Sequence, residues 1–401
     1  MRQACRLCTR DALTPIIDIG PQPIANRFRT APDDVEDCFP IALVQCTACG
    51  LVQIDESVPP GALVPPFEWI TYNEPEGHLD QLVDVIMKLP GIGPGATAAG
   101  VSFKDDSALA RLERRGLRRW RVDLRDDLGV AGAHAGCGVE TVQARLTPAA
   151  ADATAARHGR ADVVIARQVL EHANSPRDFI DALRRLASPS GYLVVEVPDC
   201  MRALDRCDYV MIWEEHTLYY TPATFRTGFA SVGLEVVRTE NYPYPSENSL
   251  VAIVKANGGA PQALPVAADQ TEQARARRFG EQFPQYRERV RAFLRTHRRQ
   301  GGKIALFGGG HSAVTFVSVF DVEDDLDCVV DDNPHKLGMY MPGTRLQIVG
   351  SPALLERGIT LCLLGLNPAS EEKVVRGNAA FVQRGGLFAS ISPASAYAAG
   401  W

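Results

Sequence analysis

Apolar and polar residues alternate in blocks in the middle of the chain, and this pattern predicts a strand, a helix and a second strand. The first strand is the β-branched run at residues 163–166. Apolar residues then recur at helical spacing from Phe179 to Leu186, which predicts an amphipathic helix. A turn at residues 188–191 ends that helix, and the apolar run at 192–197 predicts a buried strand. The segment is therefore one β-α-β unit of a parallel sheet.

Residues 168–172, with the sequence QVLEH, lie between the first strand and the helix of this unit. In open α/β sheets, ligands bind at the carboxyl ends of the parallel strands. The polar side chains of this segment are therefore candidates for a functional site.

Further strands are predicted on both sides of this unit. They are residues 97–103, 120–124, 139–145, 234–237 and 249–255. A helix begins at Thr221 and Pro222, because threonine caps a helix and proline fits its first turn. The last two strands form an antiparallel hairpin at the end of the domain.

A second α/β unit is predicted beyond a linker rich in Gly, Ala and Pro at residues 258–268. A charged helix at 270–299 precedes it, and its mixed charges favour a solvated face over a nucleic-acid patch. The strands of this second α/β unit are residues 303–307, 327–330 and 361–366. Gly308 and Gly310 can form an anion-binding turn at a helix amino terminus, although such turns also serve packing.

Four cysteines form two C-x2-C pairs near the amino terminus, namely Cys5 with Cys8 and Cys46 with Cys49. Each pair places two thiolates on one side of a tight turn, and four thiolates complete a tetrahedral zinc site. Because no coordination position is left open, we expect the ion to be structural. Cys38 has no partner at this spacing and is interpreted as a non-ligand.

Proline-rich breaks near residues 59–66 and the later linker divide the chain into three predicted units. These are residues 1–65, 66–257 and 258–401. The predicted fold class is α/β, with an amino-terminal zinc-ribbon-like module, a central Rossmann-like domain and a smaller carboxyl-terminal Rossmann-like domain.

Composition narrows the class of protein. The 401 residues carry a formal net charge of -6, which argues against a dedicated nucleic-acid binder. No apolar run approaches the roughly 18 residues of a membrane helix, and the amino terminus lacks a signal-peptide hydrophobic region. We therefore expect a cytoplasmic protein with a small-molecule substrate, whose ten cysteines serve metal binding and burial rather than disulfides.

Two segments compete for the ligand-binding loop after the first strand of the central sheet. Residues 91–95 contain the glycines, but they follow a helix and Pro90. Residues 102–106, SFKDD, follow the predicted strand and place Asp123 roughly 20 residues further on, the spacing of a carboxylate that binds ribose hydroxyls. The second segment is therefore favoured. The predicted cofactor residues are Ser102, Lys104, Asp123 and Gln168.

These features resemble the S-adenosylmethionine-dependent class I methyltransferases, and more specifically the sugar C-methyltransferases of deoxysugar pathways. The resemblance lies in LEH at 170–172, GYLVVEVP at 191–198, the cysteine pairs and Glu215-His216. It implies S-adenosylmethionine as cofactor and a class I methyltransferase fold for the central domain. It also places Lys104 where relatives keep a glycine, so this side chain either blocks the methionine end of the cofactor or pairs with its carboxylate.

The resemblance further implies roles for individual residues. Tyr72 would reach over the active site, His172 would be the histidine that follows the fourth strand, and Glu215 with His216 would supply acid/base groups. Expected substrate contacts are Asn73, Asn248, Ser249, Gly308, Gly310 and His311.

The leading prediction is a C-methyltransferase that acts on a nucleotide-activated keto-sugar or a related natural-product intermediate through an enolate. His216 or His172 would remove the proton beside the carbonyl, Glu215 would orient His216, and Tyr72 would stabilise the enolate. The missing glycine loop leaves two rivals. One is an isomerase, epimerase or lyase that uses the same enolate, and the other is a non-catalytic ligand-binding subunit of a biosynthetic complex.

Overall fold

The structure is a computed structural model that describes residues 4–70, 74–131, 138–259 and 269–401. Within these ranges the strands form three sheets of four, six and five strands. The predicted site residues Tyr72 and Asn73 lie outside the described residues, as does most of the predicted linker. No helix in the described ranges is long and apolar enough to cross a bilayer.

The first sheet joins the amino-terminal module to the central domain. Its strands are Leu13–Pro23 (β1), Cys38–Cys46 (β2), Val52–Ile54 (β3) and Leu218–Tyr219 (β8), in the order β1-β2-β3-β8. Val52 pairs with Tyr219 in an antiparallel register. Because β8 begins two residues after His216, this sheet fixes the backbone close to two predicted site residues. The boundaries of the three predicted units stay a prediction.

The central sheet has the predicted parallel β-α-β unit at its centre. Its strands are Thr97–Gly100 (β4), Arg118–Arg121 (β5), Ala161–Arg167 (β6), Ala187–Asp199 (β7), Val236–Tyr242 (β9) and Asn248–Lys255 (β10). The order is β5-β4-β6-β7-β10-β9, in which β10 pairs antiparallel with β7 and β9. The chain crosses over between β5 and β6, on either side of β4, and such a switch point is where open sheets bind ligands.

The third sheet forms the predicted second Rossmann-like unit. Its strands are Ile304–Phe307 (β11), Cys328–Val330 (β12), Ile348–Val349 (β13), Leu361–Leu364 (β14) and Leu387–Ser390 (β15). They pair in parallel in the order β13-β12-β11-β14-β15. The α/β fold class is therefore confirmed for both large domains.

Thirteen α-helices occur in the described ranges. They are Pro60–Leu63 (α1), Leu79–Ile86 (α2), Asp106–Arg114 (α3), Gly138–Arg145 (α4), Pro148–His158 (α5), Pro176–Leu186 (α6), Met201–Arg206 (α7), Pro222–Ser231 (α8), Gln270–Arg299 (α9), His311–Phe320 (α10), Ala353–Glu356 (α11), Pro368–Gly377 (α12) and Ala379–Gln383 (α13). The predicted threonine cap at Thr221 is present, as part of a capping box with Thr224, and the predicted bounds of α9 are confirmed.

The predicted third strand at residues 139–145 is wrong, because this segment is helix α4. Val139 and Val142 are buried at a spacing of three residues, which places them on one helical face. The side chain of Gln143 also donates to Glu140 at 3.0 Å, a contact between residues three apart that a helix allows. The segment contains too few apolar residues for its sequence to distinguish the period of a helix from that of a strand.

Helix α9 holds the amino-terminal and carboxyl-terminal modules together. It buries one face, which includes Phe279, Tyr286 and Leu294, in a core shared with β1 and with the third sheet. Gly280 allows this approach, because a Cβ there would lie 2.2 Å from the carbonyl oxygen of Ile16. The charged residues of α9 lie mainly on the opposite, solvated face, whereas Glu272 is buried.

Candidate active site

Two adjoining cavities lie at the carboxyl ends of the central strands. The larger has a volume of about 630 Å³ and the smaller about 310 Å³. The predicted site residues that line the larger cavity are Ser102, Lys104, Asp123, His172 and Glu215. Those that line the smaller cavity are Gln168, His216, Asn248, Ser249 and His311. The predicted residues are thus divided between two neighbouring sites.

The loop after β4 is organised by a buried carboxylate and not by glycines. Asp105 Oδ2 accepts hydrogen bonds from the amides of Val101 at 2.7 Å and Ser102 at 2.9 Å. Its Oδ1 accepts one from the amide of Arg167 at 2.9 Å. Burial raises the pKa of Asp105 to about 7. Gly100 is required beneath this loop, because a Cβ there would lie 2.8 Å from the Asp105 Cβ.

Lys104 lies at the boundary between the two cavities. Its ammonium donates to the carboxylate of Glu74 at 2.6 Å and to the carbonyl of Gln168 at 3.3 Å. Burial opposes the charge of this side chain, which is 4% exposed, but the carboxylates of Glu74 and Glu171 outweigh it and raise the pKa of Lys104. The lysine is therefore charged at neutral pH.

Asp123 lies two residues beyond β5, at the edge of the larger cavity. Its Oδ1 accepts hydrogen bonds from the amides of Asp126 and Arg125, each at 2.8 Å. These amides lower the pKa of Asp123, because they stabilise the charged carboxylate. The ionised group lies at the tip of the strand beside β4, a position suited to the two hydroxyls of a ribose.

The two predicted histidines meet where the cavities adjoin. Their ring centroids lie 4.8 Å apart with an interplanar angle of 84°. His172 Nδ1 lies 2.6 Å from Oε1 of Glu140, which fixes the orientation of that ring. Burial, followed by the charge of His172, lowers the pKa of His216 well below its usual value. His216 is therefore neutral near pH 7 and able to accept a proton.

Glu215 connects this histidine pair to the amino-terminal module. Its Oε1 accepts a hydrogen bond from Asn26 Nδ2 at 3.0 Å. Glu140, His172 and Glu215 are all buried, and each offers a polar atom within 4.8 Å of the others. Residues from three separate stretches of the chain therefore build the polar wall of the larger cavity.

The smaller cavity has an acidic lining. Glu74, Asp208 and Glu247 contribute carboxyl groups, and its described lining includes neither lysine nor arginine. Burial raises the pKa of Asp208 to about 7 and that of Glu247 to about 8. Burial also lowers the pKa of His311 to about 4, so this ring is neutral at pH 7. The described lining therefore offers no permanent positive charge.

A buried ion pair lies beneath the smaller cavity. The carboxylate of Glu196 accepts a hydrogen bond from Arg167 Nε at 2.7 Å and lies 3.2 Å from His78 Nε2. The hydroxyl of Ser249 donates to the same carboxylate. The Ser249 hydroxyl is thus engaged within the fold, whereas Asn248 lies at the wall of the cavity.

Side chains of the carboxyl-terminal domain itself already contact the glycine turn of that domain. The amide of Gly309 donates to Asp331 Oδ2 at 2.9 Å, and Lys336 contacts the same oxygen at 2.9 Å. Gly308 has a φ of +102° and packs closely against Leu366. Neither Gly308 nor Gly310 lines either cavity. His311, which follows them, stacks on Trp213 with centroids 4.2 Å apart in the smaller cavity.

Some site residues had no usable signal in the sequence. The contact of Glu140 with His172 could not be predicted because its segment was predicted as a strand. The role of Glu74 is evident only from its contact with Lys104. The glycines at residues 91–95 line neither cavity, whereas Ser102 and Lys104 line the larger one.

The four predicted cysteine ligands converge in the amino-terminal module. Cys5 Sγ lies 3.7 Å from Cys49 Sγ, and Cys8 Sγ lies 3.5 Å from Cys46 Sγ. All four sulfur atoms lie within 4.8 Å of one another, and all four residues are buried. This donor set fits a tetrahedral zinc ion. Cys38 is exposed and lies outside the group.

Comparisons with protein families cover most of the chain in three separate matches. A zinc-binding domain family matches residues 5–63, a methyltransferase domain family matches residues 93–239, and a C-methyltransferase C-terminal domain family matches residues 266–393. The four cysteines lie within the first match, and both cavities draw on the second.

The chain is also similar to a characterised protein along nearly its whole length. It is 25% identical to the C-methyltransferase NovU of Streptomyces niveus, with 96% of this chain and 94% of that protein aligned. Among solved structures, it is similar to the 1,6-didemethyltoxoflavin-N1-methyltransferase of Burkholderia thailandensis, at 13% identity and a TM-score of 0.30, over 45% of this chain and 78% of that chain. It is likewise similar to the magnesium protoporphyrin IX methyltransferase of Synechocystis, at 13% identity and a TM-score of 0.27, over 44% and 77%.

Proposed function

Because the chain belongs to the zinc-containing, S-adenosylmethionine-dependent C-methyltransferases, we propose that it methylates the carbon beside a carbonyl in a nucleotide-activated keto-sugar or a related intermediate. The observation that supports this proposal is the position of His172 and His216, whose rings lie 4.8 Å apart between two cavities. One cavity would hold the cofactor and the other the substrate, so a base and two reactants would meet at one point.

The larger cavity suits S-adenosylmethionine in both size and chemistry. Its Asp123 carboxylate would accept hydrogen bonds from the ribose hydroxyls, and Val101, Val122 and Val139 add an apolar wall. The bound cofactor supplies an activated methyl group on a sulfonium.

In the proposed reaction, His216 takes the proton from the carbon beside the substrate carbonyl. The electron pair of that C–H bond moves to give an enolate, whose carbon then forms a bond to the methyl group as the sulfur–methyl bond breaks. The electron pair of the broken sulfur–methyl bond would stay on sulfur, so the cofactor product would be S-adenosylhomocysteine. His172, oriented by Glu140, lies beside the base, and Tyr72 remains the predicted partner of the enolate oxygen.

Proton exchange tests this chemistry separately from methyl transfer. In deuterated water without cofactor, a bound keto substrate should lose its α proton to solvent, because His216 would act before the methyl group is needed. An isomerase or lyase would also exchange the proton, but it would form no methylated product when S-adenosylmethionine is added. A mass increase of one CH2 unit, as methyl replaces hydrogen, would therefore support the proposal, and its absence would favour the non-methylating rival.

The acidic lining of the smaller cavity favours a second candidate substrate, a ketone that carries an amino group. An ammonium would pair with Glu247 and Asp208 and restore their ordinary ionisation, whereas a diphosphate would find no lysine or arginine in the described lining of the cavity. The KM of a keto-sugar that carries an amine should thus be lower than that of its hydroxyl analogue, by about tenfold or more.

The matched variant Glu247→Gln sharpens this comparison. It keeps the size of the side chain and removes its charge, so we expect KM to rise for the amine substrate alone. An equal change for both analogues would contradict recognition of an amine.

Replacing Asp123 with alanine should weaken binding of S-adenosylhomocysteine by about 1–3 kcal/mol, because two hydrogen bonds from a ribose to a charged group would be lost. Isothermal titration calorimetry measures this change directly. Asp123→Asn is the control, since it keeps an oxygen that can cap the amides of Arg125 and Asp126. Affinity equal to wild type in Asp123→Ala would remove this residue from the cofactor site.

A further inference from the structure

We propose that Lys104 binds the carboxylate of the methionine moiety of S-adenosylmethionine, as the cationic replacement for a glycine-rich cofactor loop. The inference rests on the proposed placement of the cofactor in the larger cavity and assigns one end of that ligand. Lys104 lines this cavity, on the loop that directly follows β4.

The first support is that most amides of this loop are already used. The amides of Val101 and Ser102 both donate to Asp105, and that of Lys104 donates to the Ser102 hydroxyl at 3.2 Å. A ligand carboxylate would find these donors occupied by a carboxylate of the protein. Because a buried carboxylate without donors is strongly disfavoured, another positive group has to receive it.

The second support is the remaining hydrogen-bonding capacity of Lys104. An ammonium has three donors. Contacts with described residues account for two, one to Glu74 and one to the carbonyl of Gln168. A third donor is therefore left for a ligand, and it belongs to a charged group with a side chain only 4% exposed, where an ionic hydrogen bond is strong.

The third support is the distribution of charge along the cavity. The other cationic side chains of its lining, Arg121 and Arg125, flank Asp123 in the sequence and act on its carboxylate, at the proposed ribose-binding end. Lys104 instead lies near Glu171 and Glu215, beside the histidine pair. A cofactor whose ribose contacts Asp123 would extend its amino-acid portion toward Lys104.

Two ligands that differ in the amino-acid portion test this assignment by calorimetry. S-adenosylhomocysteine carries the carboxylate, whereas 5′-deoxy-5′-methylthioadenosine keeps the nucleoside and the sulfur but lacks the whole amino-acid portion. We expect Lys104→Met to weaken S-adenosylhomocysteine about 10- to 100-fold and to leave methylthioadenosine unchanged. Lys104→Arg should recover most of the lost affinity, because it restores the positive charge.

Glu74→Gln separates ligand binding from a purely structural ion pair. It removes a competing negative charge 2.6 Å from the ammonium, so we expect S-adenosylhomocysteine to bind as tightly as in wild type or several-fold more tightly. If Lys104 and Glu74 only stabilised the fold, both variants would weaken both ligands together, and that result would overturn the proposal. Unchanged S-adenosylhomocysteine affinity in Lys104→Met would also overturn it.

A different set of binding results is expected if the proposed placement of the cofactor is itself wrong. If neither ligand bound the wild-type protein at millimolar concentration, the proposed function and this inference would fall together. If Asp123→Ala weakened both ligands but Lys104→Met weakened neither, the cofactor site would stand and only the role of Lys104 would be rejected.

Discussion

His216→Ala is expected to lower turnover by a factor of about 10² to 10⁴, the usual contribution of a general base. The variant removes the imidazole that faces the smaller cavity and leaves the larger cavity intact. Cofactor affinity should therefore match that of wild type, while exchange of the α proton with deuterated water is lost. His172→Ala should also reduce turnover, because His172 lies beside the base and contacts Glu140.

The pH dependence provides an independent measure of the same residue. Because burial lowers the pKa of His216 well below its usual value, the base is already deprotonated near pH 7. The turnover number of the wild-type protein should be flat around neutrality and should fall only when the pH drops below the usual histidine range. Near-normal turnover and proton exchange in His216→Ala would exclude this histidine as the base.

Loss of zinc is expected to unfold the amino-terminal sheet and also to abolish methyl transfer. Binding of a structural zinc ion contributes about 10–16 kcal/mol in small zinc modules, more than so small a core supplies alone. The effect should reach the active site because β3 pairs with β8, and because Asn26 donates to Glu215.

Cys46→Ala tests this coupling, with Cys38→Ala as its matched control. Cys46 is buried within the four-sulfur group, whereas Cys38 is exposed and outside it. Metal analysis should give one zinc per chain for wild type and for Cys38→Ala, and much less for Cys46→Ala. Hydrogen exchange should then increase across residues 5–54 and across β8. Full occupancy of zinc in Cys46→Ala, or full activity without zinc, would contradict the expectation.

Features that depend on local spacing could be predicted from the sequence. The β-α-β unit, the bounds of α9 and the cap at Thr221 follow from apolar periodicity and from residues that act on their own neighbours. The cysteine pairs belong to the same class, because each C-x2-C turn is a local structure. In these regions the sequence carries enough repeated signals to determine the element.

Features that depend on contacts between distant segments could not be predicted. The role of Asp105 depends on the close approach of Gly100 and Arg167, and the pairing of β8 with β3 joins segments with no shared pattern. Helix α4 was predicted as a strand because Val139 and Val142 alone do not define a period. The Glu140–His172 contact could not be predicted either, because that contact depends on helix α4.

The pairing of β3 with β8 also has a consequence for synthesis on the ribosome. The amino-terminal residues emerge first, yet the strand that completes their sheet appears only after most of the central domain has been made. During that interval β3 presents an unpaired edge, the kind of surface through which nascent chains associate. If the cysteine pairs bind zinc early, the module folds around the ion, and the exposed edge of β3 stays short and fixed in position. A cell starved of zinc during expression should therefore yield aggregated chains, whereas chelation after folding should yield dispersed, inactive ones.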